Sequence, residues 1–340
     1  MRPSRVLLAA PDKFRGSASA GELAEAVGRA AERLGWRCDR APVADGGEGT
    51  LDALGGPTRL TRVRGPLGDP VEAEWRIEGD DAVVEMARAS GLALAGGPEA
   101  NDPIHATTYG TGQLIAAAVD GGARRVLVGV GGSATTDGGL GAVSALEPHR
   151  RLRGREVLVA CDVTTTFVDA AEAFAPQKGA TPAQVALLER RLERLAQVYL
   201  RDYGVDVRDL PGSGAAGGLA GGLAALGARL EPGFDVVADA LSLPERIEGA
   251  DLVVTGEGLL DRHSFAGKAV GGVVGLARRA AVPVLVVAGD VETDEVPAGA
   301  LDDVELISLV ERFGDERARS DVLGCVEEVV AEVVSRAAGR

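Results

Sequence analysis

Lysine is nearly absent from this chain. Of its 36 basic residues only three are lysine: Lys13, Lys178 and Lys268. Each stands beside turn residues, in Pro-Asp-Lys-Phe, Pro-Gln-Lys-Gly and Ala-Gly-Lys-Ala. An ammonium is a compact point charge suited to phosphate, whereas arginine favours planar, forked partners. The three lysines are therefore candidate phosphate contacts. Cysteine is scarce as well. Cys38, Cys161 and Cys325 lie far apart with no Cys-x-x-Cys pair, which excludes a disulfide framework and a cysteine zinc site. The three histidines, His105, His149 and His263, never fall at metal-ligand spacing. Asn101 is the sole asparagine, and turn formation before Asp102-Pro103 explains it about as well as a functional role does. Positive charge is in deficit, 36 basic against 51 acidic residues for a net charge of -15, which argues against nucleic acid and anionic membranes as partners. No apolar run reaches membrane-spanning length, and the apolar stretch within Met1–Ala10 is too short for a signal peptide. A cytoplasmic location is the expectation, and a homo-oligomer is left open.

Motifs are missing too. There is no Gly-x-x-x-x-Gly-Lys-Ser/Thr, so the chain is not a P-loop enzyme. Ser133 and Ser213 lack the Gly-x-Ser-x-Gly elbow of a serine hydrolase. The run Gly129-Val130-Gly131-Gly132-Ser133-Ala134 fits a dinucleotide fingerprint, but Asp162 lies too far on to be its acid. Asp137-Gly138-Gly139 also breaks the helix that such a site requires. A nicotinamide-dependent dehydrogenase is set aside on those grounds.

What is present is glycine set against acid, three times: Ala44-Asp45-Gly46-Gly47-Glu48-Gly49-Thr50, Gly131 to Gly139, and Thr255-Gly256-Glu257-Gly258. Each follows a strand-like run. Glycine lets backbone N–H groups approach an anion, and neighbouring carboxylates can hold a divalent cation or accept a proton. Anion cradles beside carboxylates suit phosphoryl transfer, where catalysis is positioning plus charge neutralisation.

The length of 340 residues suits two domains, and 46% hydrophobic residues supply a core. Val6–Ala10 reads as a buried strand, Ala20–Leu34 as a helix capped by Ser19 with Glu22, and Cys38–Val43 as a second strand. Thr58–Val63, Val71–Ile77 and Ala82–Met86 read as an antiparallel meander. A helix at Thr111–Asp120, strands at Val126–Val130 and Val157–Ala160, an amphipathic helix at Pro182–Tyr199 and a tightly packed Gly/Ala helix at Gly212–Leu226 follow. From Val236 strand and helix alternate again, with strands at Leu252–Thr255, Val284–Ala288 and Glu305–Leu309 and helices at Ser264–Ala280 and Ser320–Ala337. The expected fold is α/β. A discontinuous, flavodoxin-like parallel-sheet domain (1–57 and 236–340) carries an inserted mixed α/β domain (58–235).

Ligands of such sheets bind beyond the carboxyl ends of the strands, at the switch point. That places Asp12, Asp45, Glu48 and Glu257 on the first domain and Asp137 on the insert, to meet in the cleft between the two. Asp45 is the expected substrate-orienting base. Asp137 and Glu257 are the expected metal ligands, with Asp137 also counted as catalytic. Lys268, supported by Arg15, is expected to neutralise phosphate or carboxylate. Gly131, Gly132, Ser133, Ala134 and Thr135 are expected to cradle phosphate, with Asp12, Glu48, Gly256 and Glu257 on the substrate or phosphate side.

In their order the motifs closely resemble the bacterial type of glycerate kinase. The resemblance runs through Ala10-Pro11-Asp12, Pro42 to Thr50, Gly65-Pro66-Leu67-Gly68, Glu85-Met86-Ala87, Thr107 to Gly112, Gly131 to Thr135, Asp137-Gly138-Gly139, Ala160 to Thr164, Pro176 to Ala180, Gly214 to Gly218, Thr255 to Gly258 and Gly267-Lys268. It covers nearly the whole chain. It implies ATP-dependent, Mg2+-assisted phosphorylation of D-glycerate, with 2-phosphoglycerate the commoner product of this type. A kinase of another small hydroxy acid, or a weakly active relative that binds a sugar acid, are the alternatives. The chain departs from the family pattern in a shortened segment at 147–156, in Thr165-Thr166-Phe167 for Asn-Pro-Leu, in Thr136 for Asn and in Leu259 for Arg.

Overall fold

The computed structural model describes residues 5–148, 152–265, 267–292 and 295–338; His149 lies outside them. The chain divides into two units. The first comprises residues 1–45, 52–54 and 234–340, and the second 46–51 and 55–233.

The first unit is built on five strands: β1 (Val6–Ala9), β2 (Arg37–Arg40), β9 (Leu252–Leu260), β10 (Val284–Val291) and β11 (Val304–Ser308). They lie in the order β11-β10-β9-β1-β2, every pair parallel. This is the expected flavodoxin-like order. The apolar runs are continuous because both faces of the sheet are covered. Leu7 and Ala9 face a cluster with Leu23, Val27, Val326 and Val330 from helices Ala20–Arg33 and Val322–Ala338. Leu8 and Ala10 face Val270, Val273 and Val274 of helix Ala269–Ala280. Leu7 and Leu8 are fully buried, each worth about 1.5–3 kcal/mol of burial. Ser19 and Glu22 form the anticipated capping box at the first helix.

The second unit holds a six-stranded sheet: β3 (Arg59–Arg64), β4 (Pro70–Glu78), β5 (Asp81–Glu85), β6 (Arg125–Gly129), β7 (Glu156–Ala160) and β8 (Arg229–Glu231), in that spatial order. The first three form the expected antiparallel meander, and β5 to β8 run parallel. Strand β8 has three residues, too short to leave an apolar pattern.

Two elements differ from expectation. The Gly/Ala segment is not one helix: Ala216, Gly217 and Gly218 all adopt left-handed backbone angles within Ala215–Ala225. A Cβ at Gly217 would collide with the Thr135 carbonyl, and the Gly138 N–H donates to the Gly217 carbonyl at 2.9 Å. The left-handed turn thus lets two backbones touch. The third acid segment lies within a strand that runs past the expected Leu252–Thr255. Strand β9 continues through Gly256-Glu257-Gly258 to Leu260, with Glu257 opposite Ala288. A side chain at Gly256 would strike the Val287 carbonyl, so this glycine serves strand contact and leaves no space for substrate there.

Candidate functional site

In the first unit the sheet order changes direction between β1 and β9, which are parallel neighbours. Their carboxyl ends are tied together. The Ala10 N–H donates to the Val254 carbonyl (2.8 Å), the Asp12 N–H to the Gly256 carbonyl (2.9 Å) and the Thr255 hydroxyl to the Ala10 carbonyl (2.8 Å). Asp12 and Glu257 therefore emerge side by side at the switch point of the sheet. The chain beyond β2 is held alongside by the Val43 N–H on the Pro11 carbonyl (2.9 Å), and this brings in Asp45. Lys268, in extended conformation, immediately precedes helix Ala269–Ala280, and its ammonium lies 3.7 Å from the Asp45 carboxylate.

These groups line one cavity of about 590 Å³, together with Lys13, Arg15 and Ser264. The size suits a small-molecule ligand. Its electrostatics are unusual. Burial raises the Asp12 carboxyl above its ordinary value; Lys13, 3.7 Å away, opposes the shift and Asp45 adds to it. Burial pushes Glu257 up to about 7, with Ser264 and Lys268 opposing and Asp12 adding. Glu257 Oε1 is buried and has no hydrogen-bond partner among the described residues. A buried carboxylate oxygen without a donor is costly unless a ligand or cation meets it. Mg2+ keeps several waters and takes one or two carboxylates plus substrate phosphates, so Asp12 and Glu257 fit it without a closed protein cage. No group of three or more acidic, histidine or cysteine side chains forms such a cage among the described residues.

The second unit gathers the other expected residues, with a different outcome. Residues 46–51 belong here, so Glu48 is not part of the first unit's strand end. A side chain at Gly132, where φ is +68°, would run into the Glu48 carboxylate, and the Cβ of a residue at Gly131 would come 3.0 Å from the Glu48 nitrogen. The two glycine segments are packed against each other, which is why glycine is needed in both. Glu85, buried and not singled out from the sequence, holds the first of them by accepting from the N–H groups of Gly49 (2.9 Å) and Leu51 (2.7 Å). On the other side, the Ala134 N–H donates to the Ser90 carbonyl and the Leu92 N–H to the Gly132 carbonyl. Ala134 thus has no N–H to offer an anion, and Gly132 faces a carboxylate.

Asp137 is saturated. Its carboxylate accepts from the Thr108 N–H (2.8 Å), the Thr108 hydroxyl (2.9 Å), and the N–H groups of Gly139 (3.0 Å) and Gly141 (3.2 Å). Burial raises its carboxyl, and these donors oppose the rise. Lys178 is buried behind the same loop, its ammonium donating to the Thr135 carbonyl at 2.7 Å. Burial pushes Lys178 down to about 7, opposed by Asp137. Asn101 bridges the Ala134 and Lys178 carbonyls at 3.0 and 2.9 Å. Lys178 and Asn101 thus brace the loop from inside. The rarity of both residue types was the sequence signal for them; Thr108 and Glu85 carried none beyond their motifs.

Comparison with known proteins agrees with the motif order. A family model described as the glycerate kinase family matches residues 7–149 and 147–337. The chain is 40% identical over 330 residues to glycerate 2-kinase of Escherichia coli strain K12, covering 85% of this chain and 86% of that protein. It is 39% identical over 323 residues to a glycerate kinase of Halalkalibacterium halodurans, covering 83% and 85%. A crystal structure from Salmonella typhimurium LT2, provisionally assigned as glycerate kinase 2, superposes with a TM-score of 0.85 at 35% identity, covering 99% of each chain. The chain belongs to the glycerate kinase family.

Proposed function

We propose that this protein transfers the γ-phosphoryl group of ATP to a hydroxyl of D-glycerate, giving a phosphoglycerate, with the 2-hydroxyl as acceptor. The observation that carries the reading is the first unit's cavity. It places two partly desolvated acids, Asp12 and Glu257, beside the Lys268–Asp45 pair at the switch point of a parallel sheet. The relatives' names supply the substrate.

In this reading Asp45 orients the acceptor hydroxyl and takes its proton as the oxygen bonds to phosphorus. The bond from phosphorus to the β,γ-bridging oxygen breaks, and its electron pair leaves with ADP. Lys268 and Arg15 offset negative charge on the transferred group or on the glycerate carboxylate. Asp12 and Glu257 would hold Mg2+, which supplies charge neutralisation on the phosphate oxygens. Asp137 moves from metal ligand to positioning residue, because its oxygens are already occupied by donors. The Gly131–Thr135 loop becomes a braced scaffold, since Glu48 and Ser90 occupy the places an anion would need at Gly132 and Ala134.

Incubation with ATP, Mg2+ and D-glycerate followed by 31P NMR tests the reading. One phosphoglycerate is expected for each ADP, its phosphorus split by a single proton if the 2-hydroxyl reacts and by two if the 3-hydroxyl does. Turnover with another hydroxy acid but not with D-glycerate would overturn the substrate assignment.

A further inference from the structure

The chain leaves the first unit immediately after Asp45, and residues 46–51 belong to the second. Upstream, the chain is tied to the first sheet. The Ala41 N–H donates to the Ala9 carbonyl (2.8 Å) and the Val43 N–H to the Pro11 carbonyl (2.9 Å), so only Ala44 stands between that anchor and Asp45. Downstream, residues 46–51 lie across the carboxyl ends of three neighbouring strands. Glu85 of β5, Gly129 of β6 and Ala160 of β7 are partners in register and form one row across the second sheet. Each meets the segment at a different point. A Cβ at Gly46, where φ is +84°, would come 2.7 Å from the Ala160 methyl, and one at Gly129 would come 2.8 Å from the Gly46 carbonyl. One oxygen of Glu85, Oε1, accepts from both the Gly49 N–H (2.9 Å) and the Leu51 N–H (2.7 Å). The Thr50 hydroxyl closes the turn on the Gly47 carbonyl at 2.8 Å.

We propose that Glu85 is a positioning residue for the phosphoryl transfer. With Gly129 it fixes the backbone that follows Asp45, and so fixes where the Asp45 carboxylate meets the acceptor hydroxyl. Glu85 is 3% exposed, and its second oxygen faces the Arg88 Nε at 3.3 Å. Burying a carboxylate is costly even when it is paired, and a neutral acceptor would satisfy the same two N–H groups. What the charge adds is stiffness, because charge-assisted hydrogen bonds are shorter and roughly twice as strong as neutral ones. Stiffness matters next to a base, which has to stand within hydrogen-bond reach of the proton it takes. Lys268 gives the Asp45 carboxylate its charge partner, and the row at 85, 129 and 160 sets the backbone that carries it. This inference rests on the reading of Asp45 as the base and deepens it. It also gives the Glu48 segment and its glycines a task in the reaction that needs no contact with phosphate.

Two substitutions and a double-mutant cycle test it, with ATP and D-glycerate or the hydroxy acid that the wild-type enzyme turns over in its place. Glu85→Gln keeps the shape and an acceptor oxygen but makes the charge-assisted bonds neutral. Its kcat should fall about tenfold, the difference between the two kinds of bond. Both KM values should stay within about twofold, the pattern of an interaction realised only in the transition state. Gly129→Ala, within strand β6, pushes on the Gly46 carbonyl and should lower kcat by roughly a hundredfold, the scale of a misplaced reacting group. It carries the test alone if Glu85→Gln does not fold. In the Asp45→Asn background neither substitution should lower the residual kcat by more than about twofold, because the group they position is gone. The same loss there as in wild type, a rise in KM in place of a fall in kcat, or a wild-type kcat in Gly129→Ala that is folded by circular dichroism overturns the proposal. The single variant reads the assignment beneath it. If Asp45→Asn turns over like wild type, the base lies elsewhere and the positioning role falls with it. A slow Asp45→Asn with independent losses at 85 and 129 removes the positioning role alone.

Discussion

Two half-buried acids, one in each unit, have opposite surroundings. Asp137 accepts from four donors drawn from Thr108, Gly139 and Gly141. Glu257 leaves Oε1 buried with no donor among the described residues. Both stand beside glycine in a motif of similar look, and both have carboxyls raised by burial. The difference teaches how to separate architecture from chemistry. A carboxylate whose lone pairs are filled by its own chain organises that chain, while one left short of donors in a cavity is prepared for something that arrives. The lysines divide in the same way. Lys178 spends its ammonium on the Thr135 carbonyl inside the second unit, and Lys268 holds its own in the cavity 3.7 Å from Asp45.

The sharpest break of this comparison is Asp137→Ala. It strands buried N–H donors and removes the charge that faces Lys178, so stability should fall by about 3–5 kcal/mol in urea unfolding. Glu257→Gln removes a charge that burial disfavours and should cost no stability. Equal losses in the two variants would abolish the distinction. Next in size, Lys268→Ala should reduce turnover about a hundredfold, the scale of one preorganised electrostatic group, with the melting temperature unchanged. Near wild-type turnover would return Lys268 to ordinary surface charge.

The smallest effect concerns pH. Lys178 titrates at about 7 in the folded protein against an ordinary value of 10.5. Between those values the unfolded chain binds more protons than the folded one, so wild-type stability should rise with pH. The rise is at most about 1.4 kcal/mol per pH unit, and the destabilisation it relieves is fully present below pH 7. Lys178→Met should flatten it between pH 7.5 and 9.5 in paired urea titrations, taking ~1.4 kcal/mol per unit as the ceiling. Parallel slopes for the two proteins would mean that Lys178 titrates as an exposed lysine does.

Much of the fold was legible because it rests on local signals. Val6–Ala9, Leu252–Thr255 and Val284–Ala288 are apolar runs of strand length bounded by turns, and Ser19 with Glu22 marks a helix start. The misreadings share one cause. Glycine at 256, 217 and 218 suggested a strand end or a smooth helix, whereas each serves close backbone contact with a chain distant in sequence: Val287 for Gly256, Thr135 for Gly217 and Gly138 for Gly218. Phe167 itself departs from the family's Asn-Pro-Leu pattern, and it is fully buried edge-on against Tyr199, with ring centres 6.0 Å apart.

By itself the sequence determined the parallel five-stranded framework, the three places where glycine meets acid, and the family, since each is carried by residue type and spacing along the chain. Only the tertiary structure decided which acids are occupied. Thr108 stands 29 positions before Asp137, and Lys178 stands 43 after Thr135, so no local pattern shows that the second glycine loop is filled from within. The cavity at β1 and β9 likewise exists because strands 245 residues apart in sequence are neighbours in the sheet. Whether a carboxylate is satisfied depends on donors brought to it by folding, and that is a property of packing.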